Sequence, residues 1–202
     1  MITISRRLAD ALALAIEAHD GQVRKGTAMP YIAHPLAVAS LVLDYGGSED
    51  QAIAALLHDV IEDGKSKPGC APYATRVLEA FGPAVLAMVE SCTDGTAEDK
   101  AAAIDPRADW QARKERYLAA LSRHRADDPA LLVSACDKLH NARAILSDLR
   151  TEGPTVFDRF KAGKSGTLWY YDAIAELLAA KGTAPAAELA KVIGNIAREA
   201  RT

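Results

Sequence analysis

The sequence predicts an all-α fold, and three observations carry that expectation. Alanine supplies 41 of the 202 residues while aromatics make up only 5%, a surplus of the best helix former over the residues that favour strands. Apolar residues recur at spacings of three and four along most of the chain. Helix-start signals stand just ahead of those runs, as at Ser48 with Gln51 and at Asp128 before Pro129. Half the residues are hydrophobic and a quarter charged, which suits one domain with a real core and excludes a disordered chain or a disulfide miniprotein. A single domain over residues 1–202 is expected, with about eight to ten helices, little or no sheet and no room for a multidomain regulator. The net charge of -3 argues against a protein that coats nucleic acid, which needs a clustered basic surplus. Cys70, Cys92 and Cys136 are odd in number and widely spaced, fitting neither a disulfide framework nor a thiolate zinc site. No stretch approaches the roughly 20 apolar residues of a membrane span, and the apolar run from Leu8 is interrupted by Asp10 and lacks a cleavage pattern. A soluble cytoplasmic protein with no membrane partner is the expectation.

The elements follow in order. A first helix starts near Ser5 and stops before Gly21, with Leu8, Leu12, Ala15, Ile16 and His19 on one face. A polar loop from Gly21 to Tyr31 carries Arg24 and Lys25. Pro35 suits the first turn of a second, nearly all-apolar helix ended by Gly46 and Gly47. The Ser48/Gln51 box starts a third helix that the apolar pattern carries to Gly64. Helices are predicted again over about 73–80 and 83–92. The small and charged residues from Thr93 to Asp109 predict the longest loop, a candidate lid. Helices from Trp110 to His124, from Pro129 to about Leu149, from Thr167 to Ala180 and from Pro185 to Ala200 complete the chain.

After Gln51, the polar residues of the third helix are His58, Asp59, Glu62 and Asp63. His58 and Asp59 diverge by about 100° on a helix, yet both reach one ion if His34, just ahead of Pro35, and Asp137, in the apolar stretch 130–149, arrive from neighbouring helices. Two imidazoles and two carboxylates suit Mn²⁺, Fe²⁺ or Zn²⁺ and leave coordination positions for water and phosphate oxygens. Each residue alone is commonplace: a histidine before a helix proline is more often a cap or loop residue than a ligand. The combination carries the reading, because burying so many acids without a cation is costly.

The segments AHDGQVRKGTAMPYIAHPLAVASLVL (18 to 43), AALLHDVIEDG (54 to 64), FGPAVLAMVESCTD (81 to 94) and SACDKLHNARAI (134 to 145) resemble the HD-domain phosphohydrolases. Among these they are most similar to the hydrolase domain of RelA/SpoT homologues and to the small alarmone hydrolases. The tail GKSGTLWYYDAIAELL (163 to 178) resembles the last pocket-lining segment of the small enzymes. The resemblance places the metal and catalytic motifs within 19–145 and leaves 165–202 to closing helices. It implies that His34, His58, Asp59 and Asp137 bind a single Mn²⁺. It implies further that Glu62 and Asp63 position and deprotonate the attacking water, that Arg24 and Lys25 hold the base and a phosphate, and that Asn141 lies near the ribose. Tyr170 is the aromatic expected to line the pocket, although Trp169, Tyr170 and Tyr171 also suit a core.

The implied reaction is removal of the 3′-pyrophosphate from guanosine tetra- and pentaphosphate, giving GDP or GTP and pyrophosphate. Two other readings stay open: hydrolysis of another nucleotide, such as an adenosine alarmone or NADPH, and a non-catalytic nucleotide sensor. The small-molecule nucleotide is the expected partner, nucleic acid is not, and the apolar helices leave room for a homo-oligomer. Without the length for a synthetase domain, the chain is expected only to degrade alarmone. Gly64 replaces the family's usual threonine after the acidic pair, and Cys136 its usual alanine. Lys138, Arg143 and Lys161 are the fallback cations for substrate. His19 is read as a core group, His140 as a partner of the ligands or a packing residue, and His124 as solvated.

Overall fold

Ser5 opens the fold as its hydroxyl accepts from the backbone N–H of Arg7 and starts α1 (Arg6–Ala18). In the computed structural model, residues 3–64, 69–95 and 104–201 are described. The regular elements among these residues are helices, and the only extended pairing among them is a bridge between Val23 and Pro30. After α1 come α2 (Ala33–Asp44), α3 (Glu49–Leu57), α4 (Val60–Asp63), α5 (Tyr73–Phe81) and α6 (Pro83–Cys92). Then follow α7 (Pro106–Arg123), α8 (Pro129–Glu152), a 3-10 segment (Gly153–Arg159), α9 (Gly163–Ala180) and α10 (Ala186–Glu199). The all-α expectation is met. Side chains from every one of these helices join one apolar cluster.

Local chemistry explains most boundaries. Ser48 and Gln51 form the reciprocal capping box that starts α3. Asp128 caps α8 through Ala130 N–H, with Pro129 in the first turn. Asp105 and Pro106 repeat that device, Asp105 accepting from the N–H groups of Arg107 and Ala108. Here the expectation needs correction: α7 begins four residues before Trp110, so residues 106–109 are helical and not part of a loop. The candidate lid falls largely on residues 96–103, which lie outside the described residues.

Two further expectations are corrected. The third helix does not run unbroken to Gly64; it stops at Leu57, turns at His58 and Asp59, and resumes for one turn as α4. The His58 ring takes the Ala55 carbonyl at 2.8 Å, an acceptor that a continuing helix offers to the Asp59 N–H. In α1 the inward face is Ala11, Leu14, Ala15 and Ala18, while Ile16 is 52% exposed. Small residues let α1 approach α3 closely, so packing is set by the alanines and not by the largest apolar side chain.

The core of the arrangement is the mutual packing of α2, α3 and α8, with α6 against α3 and α8. α8 is buried along much of its length, including Asp137. This places the first turn of α2, the break between α3 and α4, and the middle of α8 side by side. Gly64 ends α4 where a Cβ would collide with the Val60 carbonyl and lie 2.9 Å from the Tyr73 ring. Any larger residue there must push α4 and its two acids aside. Gly64→Ala should therefore destabilise the protein by about 1–3 kcal/mol, read as a lowered denaturant midpoint, and lower activity alongside it. An unchanged midpoint would show that the turn yields freely.

Candidate metal centre

The break after α3 turns His58 and Asp59 toward the same point that His34 and Asp137 reach from α2 and α8. His34 Nε2 lies 3.2 Å from His58 Nε2 and 3.2 Å from Asp137 Oδ1. Asp59 Oδ2 stands 3.0 Å from His58 Nε2 and 3.7 Å from His34 Nε2. The ligand atoms of His34, His58 and Asp137 all lie within 4.8 Å of one another, and Asp59 Oδ2 joins them from the open side. Both histidines and Asp137 are buried.

Each donor is aimed by a second bond. The His58 Nδ1 hydrogen bond to Ala55 O requires its proton on Nδ1 and leaves the Nε2 lone pair facing the cluster. His34 Nδ1 faces His140 Nδ1 at 2.8 Å. Burial, with the charges of His34 and Arg24, lowers the His140 pKa to about 4, so this neighbour is neutral and can accept from His34. Asp137 accepts from Asn141 Nδ2 at 2.6 Å on one oxygen and from Lys138 Nζ at 2.5 Å on the other. Tyr31 donates its hydroxyl to Asp59 Oδ2 at 2.5 Å.

The electrostatics are those of a site built for a cation. Burial works against charge at Asp137, yet Lys138 and the two histidines hold its pKa well below the usual carboxylate range. Burial likewise opposes a charge on His58, but Asp59 and Asp137 raise it well above the ordinary imidazole value. His34 moves down, driven by burial. Two imidazole lone pairs and two carboxylate oxygens at one point repel unless a proton or a metal ion lies among them. The donor set is that of a borderline divalent ion, with nitrogen and oxygen ligands and partners behind them. The residues present fit a metal.

The acidic pair sits beside this cluster. Glu62 and Asp63 line a cavity of about 170 Å³ together with His34, Asp59 and Asp137. Glu62 Oε2 accepts from the backbone N–H of Asp94 at 3.2 Å, and Gln22 ties down the Asp63 carbonyl at 2.7 Å. Outward, a second cavity of about 300 Å³ runs past Glu62 to Lys114, Lys138 and the rings of Tyr170 and Tyr171. A third, of about 270 Å³, is bounded by Arg24, Lys25, Asn141 and Phe160. Arg24 donates to Asn141 Oδ1 at 3.0 Å, so the basic loop is linked through Asn141 to Asp137.

All ten residues singled out from the sequence border one of these three connected spaces or the metal cluster. Tyr170 does so from below: it is 4% exposed, its hydroxyl is buried with no hydrogen-bond partner among the described residues, and its ring lies under Lys114 Nζ at 4.8 Å. Tyr171 reaches both outer cavities. His140 proves to be a partner of a candidate ligand. His19 is buried, holds Gln22 and packs on Tyr31 at 4.8 Å, as a core group would, but its Nε2 finds no partner among the described residues, so it is not the fully satisfied group expected. Sequence reading passed over Tyr31, Asp94 and the Arg113/Lys114 pair. Tyr31 stands three residues before His34, and the adjacent basic pair on the amphipathic α7 was the available signal for the others.

Comparison with known proteins agrees with this geometry. The family model for the HD domain matches residues 11–168. A guanosine-3′,5′-bis(diphosphate) 3′-pyrophosphohydrolase of Haemophilus influenzae is 34% identical over 134 residues, 65% of this chain and 18% of that protein. The bifunctional (p)ppGpp synthase/hydrolase SpoT of Escherichia coli is 31% identical over 141 residues, 69% of this chain and 18% of SpoT. The chain thus spans about a fifth of the length of these curated relatives. A solved structure of a metazoan SpoT ortholog, described as hydrolysing ppGpp, superposes with a TM-score of 0.70 at 25% identity and covers 98% of both chains. With a family match across most of its length and the metal-type cluster at the junction of α2, α3 and α8, the chain belongs to the HD-domain family.

Proposed function

We propose that this protein is a Mn²⁺-dependent hydrolase that removes the 3′-pyrophosphate of guanosine tetra- and pentaphosphate. The observation that carries the reading is the convergence of His34 Nε2, His58 Nε2, Asp59 Oδ2 and Asp137 Oδ1 in an acid-lined cavity that opens onto a cationic one. The names of the relatives and the 98% mutual coverage of the metazoan ppGpp hydrolase support the substrate.

In this account His34, His58, Asp59 and Asp137 hold the ion. A bound divalent ion supplies Lewis acidity, making water easier to deprotonate and offsetting phosphate charge. Glu62 and Asp63 orient the attacking water and take its proton. The water oxygen replaces the ribose 3′-oxygen on phosphorus, the departing 3′-oxygen takes up a proton to become the ribose hydroxyl, and the products are GDP or GTP and pyrophosphate. Lys114 and Lys138 balance the diphosphate on the outward side. Arg24 and Lys25 hold the nucleoside end beside Asn141, with Tyr170 and Tyr171 forming the aromatic wall. The ring of Phe160, 6.0 Å from Lys25 Nζ, closes that end.

Arg24→Ala should raise KM or lower kcat/KM by about 1–3 kcal/mol, the range for a charged hydrogen bond or a desolvated cation–π contact, while metal content stays unchanged. Equal kinetics for the variant would remove Arg24 from the nucleotide site. The function itself is tested by a panel of ppGpp, pppGpp, the adenosine counterpart and NADPH with Mn²⁺, scored for products. Pyrophosphate together with GDP or GTP is expected. Inorganic phosphate released only from NADPH would replace the reading with another phosphohydrolase, and binding without turnover would make the protein a sensor.

A further inference from the structure

Asp94 lies two residues past the end of α6, outside the metal cluster, and its carboxylate is 4% exposed. Two consecutive residues of α7 converge on it. Arg113 Nη1 donates to Oδ1 at 2.6 Å, and the Lys114 ammonium donates to Oδ2. Arg113 has a second carboxylate in Asp109, 2.9 Å from its Nε. From the opposite side, the Asp94 backbone N–H donates to Glu62 Oε2. One residue therefore joins α7 to the acid beside the metal cluster.

Lys114 gives this junction its chemical meaning. Its ammonium lies over the Tyr170 ring, and the residue lines both the metal cavity and the outward cationic one. The charged and titratable groups around it are Asp94 after α6, Lys138 of α8, Glu62 of α4 and Tyr170 of α9. Burial, together with Lys138, pulls its pKa down, and Asp94 opposes them. Of the groups that favour its charge, Asp94 acts most strongly, with Glu62 behind it.

We propose that Asp94 is a positioning residue for the hydrolysis, pairing with Lys114 so that its charge and direction are fixed toward the diphosphate, while its backbone fixes Glu62 on the water side. This rests on the phosphohydrolase reading above. Asp94 borders the metal cavity without belonging to the converging ligand atoms; it acts through the two groups that do the binding and the proton transfer. Its side chain governs the Lys114 half, and a side-chain substitution leaves the N–H bond to Glu62 in place.

The test is a double-mutant cycle on the full chain, with three readouts: KM and kcat for ppGpp, the pH profile of kcat/KM, and the affinity for inorganic pyrophosphate by calorimetry. Lys114→Met should raise KM and the pyrophosphate Kd at least tenfold. Asp94→Asn should do the same and move the alkaline limb of the profile to lower pH, because Lys114 then loses its proton sooner. Combining the two should cost no more than about twofold beyond Lys114→Met alone, as coupled residues do. In Asp94→Asn/Lys114→Arg, whose guanidinium stays protonated, the alkaline limb should not move down. Independent, multiplying losses, or an unmoved limb in Asp94→Asn, would overturn the proposal and leave Asp94 a structural anchor. If Asp94→Asn alone fails to fold, the double variant, which removes both charges together, is read against Lys114→Met: a rate or affinity well below it overturns the proposal equally. Wild-type protein that cleaves no nucleotide of the panel would sink the functional reading, and the pyrophosphate arm would still decide whether Asp94 and Lys114 are coupled.

Discussion

Asp59→Asn should abolish both metal binding and hydrolysis. Asp59 Oδ2 is the atom that faces His58 Nε2 at 3.0 Å and accepts from Tyr31. The amide keeps the shape but removes one of the two anionic donors from a site that has few. His58 also loses the carboxylate that, after burial, acts most strongly on its pKa. Outer partners of metal sites typically cost 10–100-fold in affinity when removed, and loss of a direct anionic ligand should exceed that, to about 10³-fold or more. Metal content of the purified variant and Mn²⁺ titration provide the check. Full stoichiometry with full turnover would take Asp59 out of the ligand set.

The acidic pair should behave differently. Glu62 and Asp63 line the cavity beside the cluster, and neither belongs to the group of converging ligand atoms. Glu62→Gln and Asp63→Asn should keep the ion and bind substrate with little change in KM. The rate should fall by roughly 10² or more, the usual range for losing a general base or its orienter. A fall in kcat at constant metal content separates proton transfer from ion binding. Loss of the metal in either variant would instead make that residue a ligand.

The contrast between these variants follows the line between what was legible in the sequence and what was not. The four donors of the cluster were readable because each is a polar residue standing in an apolar or sharply capped context, and each site lies in a motif of recognisable spacing. The turn at His58 and Asp59 was not readable. Apolar residues continue on both sides of it, and the break depends on where the His58 ring finds its hydrogen bond. The same limit hid Tyr31, Lys114 and Asp94, whose roles come from tertiary packing of α7 against α9 and of the α1–α2 loop beside α8. Charged surface helices are common, so beyond the adjacency of Arg113 and Lys114 nothing in 106–123 marks which of its five basic residues turn inward. The start of α7 was a different kind of miss. Asp105 and Pro106 carry the same start signal as Asp128 and Pro129, and the small, charged residues before them masked it.

The face of α1 shows the same principle on the apolar side. Periodicity finds a helix well, but its largest side chains need not point inward when alanines allow closer approach. Lys138 also gained meaning from structure: one bond to Asp137 and contacts of 5.2 and 6.0 Å to the rings of Tyr117 and Tyr170 make it part of the charge balance behind the ligands. With burial opposing it, Asp137 still raises its pKa well above the ordinary lysine value.

Hydrolysis should depend on an ion held by the two histidines and two aspartates. The most direct measurement is pyrophosphate release from ppGpp by protein stripped with chelator, dialysed and then titrated with Mn²⁺. Turnover should vanish in the stripped protein and return on titration, saturating at about one ion per chain. Full turnover by protein shown to contain no metal would contradict that dependence.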